Sequence, residues 1–236
     1  MNTILTVDSV YINGIRHNFN HRDDLLIIGL INDYGKGDLV TARVFYHGMA
    51  GESTNTGIFN QSHNQTDFRV TYTLSEPFAS KSWFPVKQDL ADKADSVEVY
   101  ITVPEHLKAG SNGILQAVTS LNNGKIRYEW KSRYPVAYYL ISLAVADYQE
   151  YNIWAKPEGC TDSLLVQNYI YDIPGLLESY KEDIDETVDM IHLFSELFSS
   201  YPFYEEKYGH AMAPFGGGME HQTMTTILNF QFFLVA

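Results

Sequence analysis

The sequence predicts a mainly β protein: an antiparallel β-sandwich over residues 1–171, followed from residue 172 by a helix and a few further strands. Three observations carry this. Short runs rich in Val, Ile, Tyr and Phe recur along the first part, with polar or Gly-bearing turns between them. No helical period intervenes there. From residue 172 the apolar spacing changes to that of an amphipathic helix.

Taken in order, Val7 to Ile12, Leu25 to Ile31, Val40 to Tyr46 and Arg69 to Leu74 are the first strands. Asn13-Gly14, residues 32–37 and residues 48–55 are the turns that separate them. Val97, Val99, Ile101 and Val103 alternate with Ser96, Glu98, Tyr100 and Thr102, a half-buried strand stopped by Pro104. Leu115 to Leu121 and Lys125 to Trp130 flank Asn122-Asn123-Gly124, a hairpin turn, because Asn and Gly tolerate positive φ. Tyr138 to Tyr148 is a more apolar strand, and Leu164 to Tyr171 closes the series.

Asp172-Ile173-Pro174-Gly175 reads as a helix start, with Asp172 or a neighbour near the cap and proline in the first turn. Tyr180, Ile184, Val188, Ile191, Phe194, Leu197 and Phe198 recur at helical spacing, so they are expected to face a core, and Pro202 ends the helix. Glu178, Glu182 and Asp183 lie towards its N-terminal half, where the helix dipole favours them. A short strand follows at Tyr208 to Ala213, then a glycine stretch, then Thr223 to Leu228 and the apolar tail Asn229 to Ala236. That tail is too apolar for an exposed terminus, which suggests an element cut part-way.

Composition narrows the function classes. With 236 residues and 45% hydrophobic content the chain can bury a real core. A net charge of −13, with only 16 Lys and Arg, argues against nucleic acid or an anionic membrane surface and suits a cationic guest. The lone cysteine, Cys160, excludes an internal disulfide framework and a Cys-based zinc site, and reads as an inert thiol. No apolar run is long enough for a transmembrane segment. His210 and His221 have no third ligand at usual spacing and read as packed or solvated histidines rather than metal ligands. Asn64-Gln65-Thr66 fits a glycosylation acceptor, a pattern short enough to arise by chance.

The segment richest in meaning is Pro214-Phe215-Gly216-Gly217-Gly218-Met219-Glu220-His221. Three glycines let another chain approach closely. A phosphate cradle would want a lysine or a helix start behind them. Here Glu220 stands in that place, so an ammonium is the better guest.

Gly217-Gly218-Met219-Glu220-His221 resembles the Gly-x-Met-Glu-Asn signature of the M1 zinc aminopeptidases. Ser75-Glu76-Pro77 through Phe84-Pro85-Val86-Lys87-Gln88-Asp89 resembles the segment of that family's N-terminal domain that begins with an amine-binding Glu or Gln. Lys93, Ser96 to Pro104 and Ser111-Asn112-Gly113 continue the match, and Tyr138 to Tyr148 resembles the strand before the catalytic domain. The helix 175–200 with Tyr201-Pro202-Phe203 resembles the first catalytic-domain helix. His221 replaces the usual Asn and Val86 the usual Cys.

The resemblance implies a sandwich domain over 1–171, its first strands missing, and the start of a thermolysin-like catalytic domain over 172–236. It gives Glu220 and Glu76 the α-ammonium of a peptide substrate with a free N-terminus. Gly216, Gly217, Gly218 and Met219 become an open strand edge for the substrate backbone. His-Glu-x-x-His is absent from the sequence, so the zinc of the family, its ligands and every catalytic residue are expected downstream. Phe232 to Ala236 resembles the entry to that zinc helix, which makes the remainder of the catalytic domain an expected partner. Relatives with this glycine stretch suggest a secreted or periplasmic enzyme. Two readings from other classes stay open: a non-catalytic β-sandwich binding module of M1 ancestry, and a carbohydrate-binding sandwich, which rests only on aromatic abundance.

Overall fold

The computed structural model describes residues 1–49, 51, 57–63, 68–157 and 159–230. The turn residues 52–55, the acceptor Asn64-Gln65-Thr66 and the tail Phe232 to Ala236 lie outside the described residues.

Strands dominate, as the alternation predicts. β1 (Thr6–Ile12), β2 (Ile15–His17), the β3–β4 hairpin (Phe19–Arg22 and Leu25–Ile28) and β5 (Ala42–His47) form the front of the chain. There β1 pairs antiparallel with both β2 and β5. β6 (Ile58–Ser62), which the sequence did not announce, pairs with β7 (Arg69–Thr73). β8 (Val97–Pro104) buries Ile101 and Val103 and exposes Tyr100 and Thr102, the expected inward and outward faces.

Beyond β9 (Lys108–Ser111), the hairpin of β10 (Ile114–Leu121) and β11 (Lys125–Ser132) turns through Gly124 at φ +69°. β11 then pairs residue for residue with β8. Tyr138 to Tyr148 is not one strand. Tyr138–Leu140 is a 3₁₀ turn, β12 (Leu143–Ala146) follows, and Tyr148 opens β13 (Tyr148–Ala155). The break lets β12 pair with β7 and β9 while β13 joins a different sheet.

That second sheet has the order β13-β14-β15-β17-β16. It combines β13 and β14 (Leu164–Tyr171) with β15 (Tyr208–Met212), β16 (Gly218–Met219) and β17 (Thr225–Ile227). β14, β15 and β17 run parallel, and their neighbours β13 and β16 antiparallel. The expected boundary at 171/172 therefore falls inside one sheet, because β14 and β15 share a parallel ladder.

The crossover from β14 to β15 carries α1 (Leu176–Leu197), the helix that a parallel connection requires. Its N-cap is Gly175 in the left-handed region, at φ 80°, with no side-chain cap. The cap thus falls on the last residue of the expected start segment; Pro174 precedes it rather than lying in the first turn, and Asp172 gives its N–H to Asp147 O. Tyr180, Ile184, Thr187 and Ile191 form the buried stripe, and α1 packs on β13 and β14. Phe194 and Phe198, expected in the core, are 56% and 80% exposed. The last turn borders a groove of about 500 Å³ lined by Met190, Phe194 and Phe198 on the helix side and by Tyr208 and His210 of β15. No helix among the described residues is long and apolar enough to cross a membrane.

One core crosses from the sandwich strands into the mixed sheet: Val70, Tyr72, Val103, Trp130, Tyr148, Tyr169, Ala211, Met212 and Met224 belong to a single cluster. Trp130 is fully buried and gives its indole N–H to Ala109 O at 3.0 Å. Tyr148, also buried, donates to Met212 O at 2.5 Å. The burial pattern of α1 is open to test by chemical unfolding. Ile184→Ala is expected to cost about 2–5 kcal/mol, as for other fully buried aliphatic truncations. Phe194→Ala is expected to stay within about 0.5 kcal/mol of wild type, because half of its ring is already in water.

Candidate functional site

The glycine stretch is a loop and an edge strand held by the sheet beside it. Ala213 N–H donates to Ile227 O at 2.8 Å, and Leu228 N–H donates to Gly217 O at 3.1 Å. Between these bonds β16 pairs with β17, Gly218 opposite Ile227 and Met219 opposite Thr226. β16 is the terminal strand of its sheet, so its outer edge carries no strand partner among the described residues. A Cβ on Gly216 would meet nothing within 4 Å, whereas Gly217, at φ +92°, sits where a side chain would be strained. The glycines thus leave the edge bare.

Alternation along this strand sorts its side chains. Gly218 is exposed and Met219 is 1% exposed; past the strand's end Glu220 faces solvent and His221 turns back in, also 1% exposed. Among the described residues the Glu220 carboxylate has no hydrogen bond or ion pair. Glu220 stands in solvent immediately after the end of β16.

Glu76 is also exposed, on a turn that follows β7 and is pinned on several sides. Leu74 N–H donates to Gly57 O at 3.1 Å, Trp83 Nε1–H donates to Ser75 Oγ at 2.9 Å, and Tyr138 Oη donates to Pro77 O at 2.8 Å. The Glu76–Pro77 peptide is cis. The stretch and this turn are linked by rings: Phe215 stacks on Tyr72 of β7 with centroids 5.6 Å apart, and Tyr72 stacks on Phe59 of β6 at 5.2 Å. The ring stack ties the loop that leads into β16 to the strand that precedes the Glu76 turn.

Three residues past Glu220 the chain is tied into a polar seam. Asn112 Nδ2 donates to Gln222 O at 2.6 Å and to Leu140 O at 2.9 Å, while its Oδ1 accepts from Ser142 N–H at 2.8 Å. Gly113 N–H donates to Thr223 Oγ1 at 2.7 Å. Lys207 Nζ donates to Ser111 O at 3.1 Å and Thr223 O at 2.8 Å, and lies 5.1 Å from the centre of the Trp130 ring. Ser111-Asn112-Gly113 was visible in the sequence as a motif, but Lys207 was not. Nothing in the sequence marks one lysine in an acidic turn as the buried one.

The two histidines are packed groups, in line with the sequence reading. His210 Nδ1 donates to Asn168 Oδ1 at 2.7 Å, since both Asn168 amide hydrogens go to Tyr151 O and Val166 O. His221 Nδ1 lies 2.9 Å from Thr226 Oγ1, and its Nε2 is buried without a partner. Burial pushes both imidazoles down to about 3, helped for His210 by the Lys207 charge. A neutral His221 leaves the carboxylate of Glu220 uncontested by a neighbouring cation.

Among the described residues no group of three or more His, Cys, Asp or Glu side chains could hold a metal ion. The residues here do not fit a zinc site, and no chemical step is derived through one.

No family model matches the sequence, and no curated protein does. Solved structures do. An M1 zinc metallopeptidase from Deinococcus radiodurans, in a point-mutant form, matches with TM-score 0.80 and 23% identity over 94% of this chain and 50% of its own. The same mutant bound to a Tyr-Ser-Ala substrate gives TM-score 0.78 and 22% identity over 95% of this chain and 50% of its own. A two-domain M1 zinc metallopeptidase mutant bound to L-tryptophan gives 0.77 and 22% over 94% and 50%. The chain has the fold of these metallopeptidases. It spans about half their length.

Burial pushes the Lys207 ammonium down to about 7 against the nearby Glu206 and Glu150 charges, from 10.5 in an unfolded chain. Between those values the unfolded chain binds a proton that the folded chain does not, so this group makes stability rise with pH from about 7 towards 10.5. Unfolding wild type and Lys207→Met in urea at several pH values checks this. The stability of wild type relative to the variant is expected to grow as pH rises through that window.

Proposed function

We propose that this chain forms the substrate-holding part of an M1-type zinc aminopeptidase, with Glu220 and Glu76 binding the α-ammonium of a peptide and the glycine edge binding its backbone. The observation that carries this is β16: a bare, glycine-built sheet edge that ends in an outward carboxylate, across an aromatic stack from the turn bearing a second one. That the structural relatives bind Tyr-Ser-Ala and L-tryptophan supports a ligand with a free amino group.

Two exposed carboxylates select a free N-terminus because an internal peptide bond offers no positive charge there. The pairing is weak in bulk water and strengthens where further chain excludes solvent. Peptide backbone adding to the β16 edge would run beside Gly216 without meeting a side chain. When bound in a complete enzyme, zinc supplies the polarised carbonyl and the activated water. No group among the described residues could hold that zinc, and on this reading the remainder of a catalytic domain is the partner that would supply its ligands. We place the start of the thermolysin-like unit at Tyr148 rather than 172, because β13 and β14 share the mixed sheet with the glycine edge.

Calorimetric titration of the 236-residue chain with Tyr-Ser-Ala and with its N-acetyl form tests the proposal. The free amine is expected to bind and the acetylated peptide not. Glu220→Gln and Glu76→Gln are each expected to weaken binding by about tenfold, the loss of one charge-assisted contact. Equal binding of both peptides would sink the reading.

Gly216→Ala separates recognition from folding. A Cβ there has open space at an ordinary φ, so stability should change by less than about 0.5 kcal/mol. Peptide binding should nevertheless weaken, because the methyl group stands on the edge the backbone would use. The same chain is expected not to hydrolyse aminoacyl anilides, and turnover abolished by a chelator would overturn that part.

A further inference from the structure

We infer that Lys207 is the positioning residue of the Glu220 turn: its buried ammonium bridges the sandwich to the backbone just beyond the carboxylate and fixes where that carboxylate stands. The functional half of this inference rests on the reading of Glu220 as the amine anchor.

Among the described residues Lys207 is the one buried Lys or Arg. Such burial is costly unless the ammonium has partners, and the partners here are specific. Its two hydrogen bonds reach the carbonyls of Ser111, at the end of β9, and Thr223, in the turn between β16 and β17. Two carbonyl oxygens converging on one point repel each other, and a cation between them removes the repulsion. The Trp130 face closes a further side of the ammonium. The Glu206 and Glu150 charges favour the ammonium against the cost of its burial. Glu206 is itself occupied by Ser132 Oγ and Arg133 N–H.

Thr223 is what needs holding. It has φ 62°, in the left-handed region that a β-branched residue rarely occupies. Such a conformation persists where the surroundings over-determine it. Here the surroundings are the Gly113 N–H on its hydroxyl and the Lys207 ammonium on its carbonyl. Glu220 precedes Thr223 by a single tight turn, in which His221 N–H bonds Met219 O and Met224 N–H bonds His221 O. A change of backbone at Thr223 therefore swings the Glu220 carboxylate and the β16 edge together.

Hydrogen–deuterium exchange with and without Lys207→Met, alongside titration with Tyr-Ser-Ala, tests this. The variant is expected to raise exchange over residues 219–224 by about tenfold while β1 and β5 stay protected as in wild type, and to weaken peptide binding by about the same factor. Exchange that stays unchanged over 219–224, or rises evenly across all sheets, overturns the inference, since lysine would then be ordinary core. So does a local rise with unchanged binding. Should the Met variant not fold, Lys207→Gln, which keeps an amide N–H for one carbonyl, carries the same comparison. In a Thr223→Asn background, where the residue tolerates the left-handed region and retains an acceptor, the exchange caused by Lys207→Met is expected to shrink. Wild type that fails to bind the free amine removes the reading of Glu220, and the exchange pattern then decides the clamp by itself.

Discussion

Trp130 lies where the sandwich strands meet the mixed sheet, and the continuity of the core around it is the constraint that the rest of the structure obeys. Its indole bonds β9, its ring meets Tyr169 of β14 edge-on at 6.5 Å, and Lys207 approaches its face. A ring of this size, fully removed from water, orders elements from both halves around itself. Tyr148 does the same one layer away, stacking on Tyr171 at 5.7 Å while its hydroxyl reaches Met212 O. With such rings shared across the seam, the two halves are not free to rotate against each other.

The shared core explains how an edge strand of only two residues can be placed at all. β16 makes few bonds of its own, and its position is inherited from β17 on one side and from the Phe215–Tyr72 stack on the other. The polar seam of Asn112, Gly113 and Lys207 then fixes the turn beyond it. Apolar packing brings the glycine loop against β7, while directional bonds to the carbonyls of Ser111, Gln222 and Thr223 hold the turn after Glu220. A site that recognises one ammonium needs both, because charge attraction alone tolerates wide angles.

Acidity has a related consequence. The two expected amine anchors are exposed and unpaired among the described residues, in a chain of net charge −13. Nearby cations are removed from competition: Lys207 is committed to carbonyls inside the seam, and burial keeps His221 neutral.

The sequence by itself determined the mainly β character, the β8 alternation, the β10–β11 turn, the helix after residue 172 and the glycine stretch with its carboxylate, because each is written in residues close along the chain. Period, turn chemistry and glycine freedom are local properties. It misjudged what depends on distant partners. Phe194 and Phe198 have the spacing of core residues, yet exposure is decided by which element lies opposite. Tyr138 to Tyr148 is more apolar than the strands before it, but its break into a turn and two strands is set by the sheets that compete for it. Only the tertiary structure could show that β13 and β14 belong with β15, since a parallel ladder joins strands separated by a whole helix. It alone could pick Lys207 out of 16 basic residues, because burial and the meeting of two carbonyls are relations between chain segments that lie far apart in sequence.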